Sequence, residues 1–306
     1  MSPARTAPGL ASVGYLFGTI GAQAVPGTVL VPLLTDLGMS VSAARTLLHR
    51  MREAGSLSAE RIGRVAIYRL AGRYLAQYQG ITFGGETANW SGAFDAILYD
   101  IPEVHRAERN RLRERAFAAG FGAPRSGLLI GVTDPDRWAD TWLKREDLAV
   151  ERVRLGCDLD TARRLADQAW GLAEIAADIE AFRDRIELIG RRVHNRQLTN
   201  HQALTNLYDL WQEFVRIQIQ TPSLPAELYP EEWHLPEMRA EVYQVNAVLL
   251  PLAKQHTQAV IDEAAATTLV ELEPRTPRSE KEGHTQVAAS STSSSSAAGT
   301  ADPPPQ

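Results

Sequence analysis

Residues 37–55 read LGMSVSAARTLLHRMREAG. Within them Val41, Ala44, Leu47, Leu48, Met51 and Ala54 recur at steps of three and four, which sets them along one face of a helix. The opposite face carries Ser42, Arg45, Thr46, His49, Arg50 and Arg52, small, hydroxylic or cationic groups able to donate to phosphate oxygens and base edges. Ser40 is placed to cap this helix, and Gly55 to stop it where a positive φ angle costs little. Such a helix fits the DNA major groove, although on its own it is better read as an ordinary solvated surface.

Its neighbours favour the groove. Gly27–Leu37 (GTVLVPLLTDL) reads as a preceding helix, with Gly38 as the turn between the two. After Gly55, Leu57 to Leu70 reads as two short strands around a tight turn, with Arg61 and Arg64 at its tip. Helix, turn, helix and two-stranded ribbon is the order of a winged helix-turn-helix, expected over residues 11–78. Ser42, Arg45, Thr46, His49 and Arg50 are then the groove-facing candidates, and Arg61 and Arg64 reach the flanking backbone.

Charge is distributed to match. The chain of 306 residues carries a net −5, yet residues 1–73 carry +5, which leaves −10 for the remainder. A basic module on an acidic body suits phosphate binding without indiscriminate attachment to DNA. The single cysteine, Cys157, excludes an internal disulfide framework and any zinc site built on cysteines, and is read as a small core residue. Leu10 to Ala24 resembles a secretory leader ending in Ala22-Gln23-Ala24, but Ser12, Gly14, Gly18, Thr19 and Gly21 interrupt its apolar run. The stretch is therefore read as the first helix of the winged module, broken by Val25-Pro26-Gly27, and the protein as cytoplasmic and nucleoid-associated with no membrane partner.

Residues 1–10 are expected to be flexible, and the glycine-rich residues 79–89 (QGITFGGETAN) to be a linker. Residues 90–157 read as strand (Phe94 to Ile101), arginine-rich helix (His105 to Ala119, stopped by Gly120-Phe121-Gly122), strand (Leu128 to Val132), helix (Asp134 to Leu148, capped by Asp134 before Pro135) and strand (Glu151 to Leu155). That order suggests a small ferredoxin-like α/β sandwich. Residues 158–268 turn helical. Leu165, Ala169, Leu172, Ala176, Ile179, Phe182, Ile186, Ile189 and Val193 form one apolar stripe on a single helix or a pair, serving as core or as dimer seam. A further helix spans Leu204 to Ile219, prolines punctuate Thr221 to Pro236, and helix resumes from Glu237 to Ala265 around Pro251. Residues 269–306, rich in Ser, Thr, Ala and Pro, are expected to be a disordered tail. The fold class is thus α+β with three folded segments.

Several separated stretches resemble the PaaX family of bacterial repressors, named for control of phenylacetic acid catabolism. In the winged module these are Leu34-Thr35-Asp36-Leu37-Gly38, Ala44-Arg45-Thr46, Arg50-Met51-Arg52-Glu53-Ala54-Gly55, Arg61-Ile62-Gly63-Arg64 and Tyr68-Arg69-Leu70. In the middle segment they are Ile101-Pro102-Glu103, Arg109 to Leu112 and Gly120-Phe121-Gly122, and further on Leu224-Pro225-Ala226-Glu227-Leu228-Tyr229-Pro230-Glu231-Glu232-Trp233. The family's Trp-Asp-Leu is here Trp170-Gly171-Leu172, and its Trp-Pro-Gly is Trp233-His234-Leu235, which puts the ligand's identity in question. The resemblance implies a homodimeric repressor on double-stranded operator DNA, relieved by an acyl-CoA thioester such as an aryl-CoA.

Phosphates of such an effector call for guanidinium forks, for which Arg109 and Arg113 stand on the arginine-rich helix, and Trp170, Trp211 and Trp233 are candidates to line an acyl pocket. Each also fits an ordinary surface or core position. The strand ending in Asp100 followed by a basic helix resembles the small CRISPR adaptation nucleases as well, which makes Asp100 a candidate metal ligand of a metal-dependent nuclease. No second acid is specified by local spacing, and no phosphate loop, His-Glu-x-x-His motif or nucleophile elbow occurs. A winged module that contacts protein instead of DNA is a third reading. The expectation is a non-enzyme with neither cofactor nor metal.

Overall fold

The computed structural model describes residues 9–72, 89–145 and 147–267. The expected flexible N-terminus up to residue 8, the linker up to residue 88, the end of the winged segment beyond residue 72 and the disordered tail lie outside the described residues.

Helices α1 (Leu10–Ile20), α2 (Gly27–Asp36) and α3 (Val41–Glu53) form around one another because their apolar positions recur with helical spacing. Val13, Leu16, Phe17, Leu30, Leu33, Leu34, Leu48 and Met51 are all buried there. Gly21, at φ 76°, ends α1 with its N–H on the Phe17 carbonyl at 3.0 Å, earlier than the run to Ala24 suggested. Ala24–Pro26 then forms a short strand, β1, where the sequence suggested a simple break. It pairs with β3 (Val65–Leu70), which also pairs with β2 (Leu57–Ile62) across a turn at Gly63-Arg64 that puts Ile62 opposite Val65. The antiparallel order is β1-β3-β2. On α3 the buried stripe is narrower than its periodicity implied: Ala44, Leu48 and Met51 are buried, but Val41 is 45% exposed and Ala54 is exposed. These two lie at the helix ends, beyond the ridge that packs on α2 and β2.

The middle segment runs β4 (Ala93–Asp100), α4 (Arg106–Ala118), β5 (Gly122–Arg125), β6 (Leu128–Gly131), α5 (Asp136–Leu143) and β7 (Ala149–Gly156). Its sheet is antiparallel throughout, in the order β5-β6-β4-β7. β5 was not anticipated, since Gly122-Ala123-Pro124-Arg125 has none of the β-branched or aromatic residues that mark strands, and its proline suits an edge. The helix α5 starts after Pro135 and stops at Leu143, short of Leu148, and the Asp134 carboxylate lies 3.3 Å from Arg152.

Strand alternation gives this sheet two apolar faces. Ile97, Tyr99, Leu129 and Val150 pack under α4 and α5 with Leu112, Ala116, Ala139 and Trp142. Phe94, Ala96, Leu128 and Ile130 join the core of the helices that follow. Those are α6 (Leu159–Trp170), α7 (Leu172–His194), α8 (Asn200–Gln220) and α9 (Leu235–Thr267). The long apolar stripe therefore belongs to a pair of helices, divided at Gly171 with φ 66°, whose N–H reaches the Asp167 carbonyl at 2.7 Å. Ile179, Phe182, Ile186 and Ile189 on it are buried within the chain, so it is core. α8 opens on a capping box between Thr199 and Gln202. α9 begins before Glu237 because Pro236 falls in its first turn, where a missing N–H costs little.

These parts meet. The Tyr15 hydroxyl on α1 donates to the Leu204 carbonyl on α8 at 2.8 Å, and Asp36 at the end of α2 lies 2.8 Å from His256 Nε2 on α9. One hydrophobic cluster runs from Val13 through Phe94 to Ala253.

Candidate nucleic-acid interface

The Ser40 hydroxyl accepts from the Ala43 N–H at 3.2 Å and fixes the start of α3, while Gly38 at φ 101° turns the chain out of α2. From that start the helix presents Ser42, Arg45, Thr46, His49 and Arg50 to solvent, all five exposed as expected. Ser42, Thr46 and His49, at i, i+4 and i+7, run along the middle of the exposed face.

The two arginines stand on opposite flanks of that line. Arg45 lines a cleft of about 840 Å³ together with Arg64 and Tyr68 of the ribbon and His256 and Val260 of α9. Arg50 lines a groove of about 430 Å³ with Met39, Ala43 and Leu47. Among the described residues neither has an acidic partner, and the same holds for Arg61 and Arg64 at the ribbon tip, where Arg61 Nε donates to the Gly63 carbonyl at 3.2 Å. Arg45 and Arg50 on the helix, with Arg64 beside Arg45 in the cleft, make a surface suited to polyanions.

Arg52 behaves differently. It donates to Glu53 at 2.8 Å and, through Nη2, to His49 Nδ1 at 3.3 Å. The Arg52 hydrogen bond holds the Glu53 carboxyl below its ordinary range. Sequence reading placed Arg52 on the polar face without this role; its i,i+3 spacing from His49 was the available signal. The approach of His256 and Val260 to Arg45 had no local signal, because α9 lies more than two hundred residues further along the chain.

Family models for a PaaX-like protein, for a PaaX protein central Cas2-like domain and for a PaaX-like protein C-terminal domain match residues 16–74, 87–156 and 170–259. The chain belongs to the PaaX-like family. Within it, the transcriptional repressor PaaX of Escherichia coli is 24% identical over 217 residues, 67% of either chain. Among solved structures, the uncharacterized protein Rv0674 of Mycobacterium tuberculosis shares the fold with a TM-score of 0.53 at 23% identity, over 81% of this chain and 97% of that one.

The effector candidates occupy four places in this PaaX-like chain. Arg109 and Arg113 serve the middle segment: Arg109 binds Glu103 at 2.7 Å and the Ile101 carbonyl at 3.3 Å, and Arg113 donates to the Tyr99 hydroxyl at 3.2 Å. Trp170 packs near Phe94, with ring centroids 6.4 Å apart. Trp211 donates to Asn246 at 3.2 Å between α8 and α9, and Trp233 stacks on Tyr229 at 4.6 Å. Asp100 is exposed at the end of β4, opposite Ala149. Among the described residues no three His, Cys, Asp or Glu gather to hold a metal ion. None of the described helices is long and apolar enough to cross a membrane. Cys157 follows β7 half-buried against the core, and burial pushes its thiol up.

Proposed function

We propose that this chain is a DNA-binding transcriptional regulator, a repressor whose segment 11–78 acts as a winged helix-turn-helix. The observation that carries the reading is the capped helix α3, with its exposed Ser42, Thr46 and His49 between two arginines that have no acidic partner among the described residues. The name of the E. coli relative supports it. Segment 90–157, with its β-α-β-β-α-β order, is read as a ferredoxin-like sandwich, and segment 158–268 as the helical part that senses a ligand and pairs two copies. In a homodimer the two α3 helices would enter half-sites one DNA turn, about 34 Å, or a multiple of it apart. The family resemblance supports an acyl-CoA thioester, phenylacetyl-CoA-like, as the releasing ligand, through a change in the distance between the two helices. The operon would then serve aromatic or acyl-CoA catabolism, and the protein would act in the cytoplasm on the nucleoid.

The test is selection of duplexes from the neighbourhood of its own gene, followed by affinity measurements across salt and with a panel of CoA thioesters. A steep fall of affinity with salt is expected, from release of several counterions. Arg45→Ala and Arg50→Ala should each weaken binding without unfolding the protein. Full affinity in both variants at physiological salt would refute the groove assignment.

A further inference from the structure

Resting on that reading, we infer that α3 divides its labour, with His49 reading a base edge while Arg45 and Arg50 grip phosphates on either side of the groove. A helix lying in the major groove turns the middle of its outer face to the bases and its flanks to the two sugar–phosphate walls. Ser42, Thr46 and His49 form that middle line, one residue per turn. Arg45 lines the cleft that Arg64 of the ribbon, Asp36 and Glu263 also line, and Arg50 lines the groove beside Met39 and Leu47. Flank positions, a charge that is always present and the absence of an acidic partner among the described residues all suit Arg45 and Arg50 to backbone contacts.

His49 is the member of the middle line with fixed hydrogen-bond polarity. A guanidinium can only donate, so the contact of Arg52 Nη2 with His49 Nδ1 makes Nδ1 the acceptor and leaves the proton on Nε2. Glu53, in turn, holds Arg52 in place. His49 thus offers one N–H donor at the far end of an oriented ring. In the major groove such a donor is matched by N7 or O6 of guanine, N7 of adenine or O4 of thymine, and is mismatched by the amino group of cytosine. Ser42 and Thr46 hydroxyls donate or accept by rotation, so they tolerate any base edge and discriminate less.

The experiment takes the full chain, selects its preferred duplex from a randomised pool, and measures affinity for that duplex and every single-base variant over a range of salt. His49→Ala is expected to lose preference at one base pair, where wild type discriminates roughly 5- to 100-fold, with the salt dependence unchanged. His49→Gln, whose amide can place a donor near Nε2, is expected to keep that preference. Arg45→Ala and Arg50→Ala are expected to weaken every sequence alike and to flatten the slope of log affinity against log salt by about 0.9 each. An unchanged base preference in His49→Ala, or a single-position change with intact slope in either arginine variant, overturns the division while leaving DNA binding in place. Absence of salt-dependent binding by wild type to any duplex overturns the regulator reading itself.

Discussion

Tyr15 joins the N-terminal module to the helical body through one hydroxyl, donated to the Leu204 carbonyl at 2.8 Å, with its ring 5.1 Å from that of Tyr208. Burial, the dominant influence, pushes this phenol far above its ordinary titration range. The folded state therefore keeps Tyr15 neutral where the unfolded chain releases the proton. A group raised on folding contributes stability that is fully present below its unfolded pKa and is lost as pH climbs above it, here above about 10. Tyr15→Phe keeps the ring and removes both the bond and the titration. At about pH 8 the variant should be less stable by roughly 0.5–1.5 kcal/mol, the net value of one such bond. At about pH 11 the gap should shrink by on the order of 1 kcal/mol, because only wild type pays to keep the phenol protonated. Urea unfolding at the two pH values checks this, and parallel losses in the two proteins would refute it.

Between elements, two glycines make opposite predictions. Gly122 on β5 lies against the end of α6 so closely that an added Cβ would sit 2.7 Å from Ala169 Cβ and 2.8 Å from both the Ala169 carbonyl oxygen and Trp170 Cε2. Gly122→Ala must push the strand and helix apart, and is expected to cost ~1–3 kcal/mol. Gly190, inside α7, has its nearest neighbour, Val245 Cγ2, at 4.0 Å. Gly190→Ala there should stabilise by up to about 1 kcal/mol through helix propensity. Thermal melts of the pair decide it, and a neutral Gly122→Ala would mean that the strand–helix contact is loose. The same contrast explains what was legible beforehand. α3, its cap and the ribbon could be read because their information is local: a periodicity, a serine and a two-residue turn. β1 and β5 could not, since Ala24-Val25-Pro26 and Gly122-Ala123-Pro124-Arg125 become strands through distant partners. Likewise the tie of Arg113 to the Tyr99 hydroxyl had no signal until the fold brought strand and helix together, whereas Glu103 beside Arg109 was visible locally.

At the scale of the molecule, sequence composition suggested three segments joined in series, yet their apolar surfaces are not kept apart. The described residues all fall within the compact unit Met1–Pro274. Val13, Leu16 and Leu34 of the N-terminal module, Phe94 and Ile130 of the middle sheet, and Ile179, Phe214 and Leu249 of the helical body belong to one cluster. Detaching any part would expose side chains worth roughly 1.5–3 kcal/mol each when buried, more than a marginally stable domain can lose. Polar ties cross the same boundary, since Asp36 meets His256 at 2.8 Å and Glu227 accepts from the Trp90 N–H at 3.3 Å. Unfolding should therefore be one cooperative event despite the length of the chain. All six tryptophans lie from Trp90 onward, so tryptophan fluorescence reports the middle and helical parts, whereas DNA binding, on the function proposed above, reports α3. Along a urea titration the two signals should fall at the same midpoint. If DNA binding were lost at clearly lower urea while fluorescence stayed native, the module would be an independently melting unit, and a ligand-driven shift of the body could not be transmitted rigidly to its recognition helix.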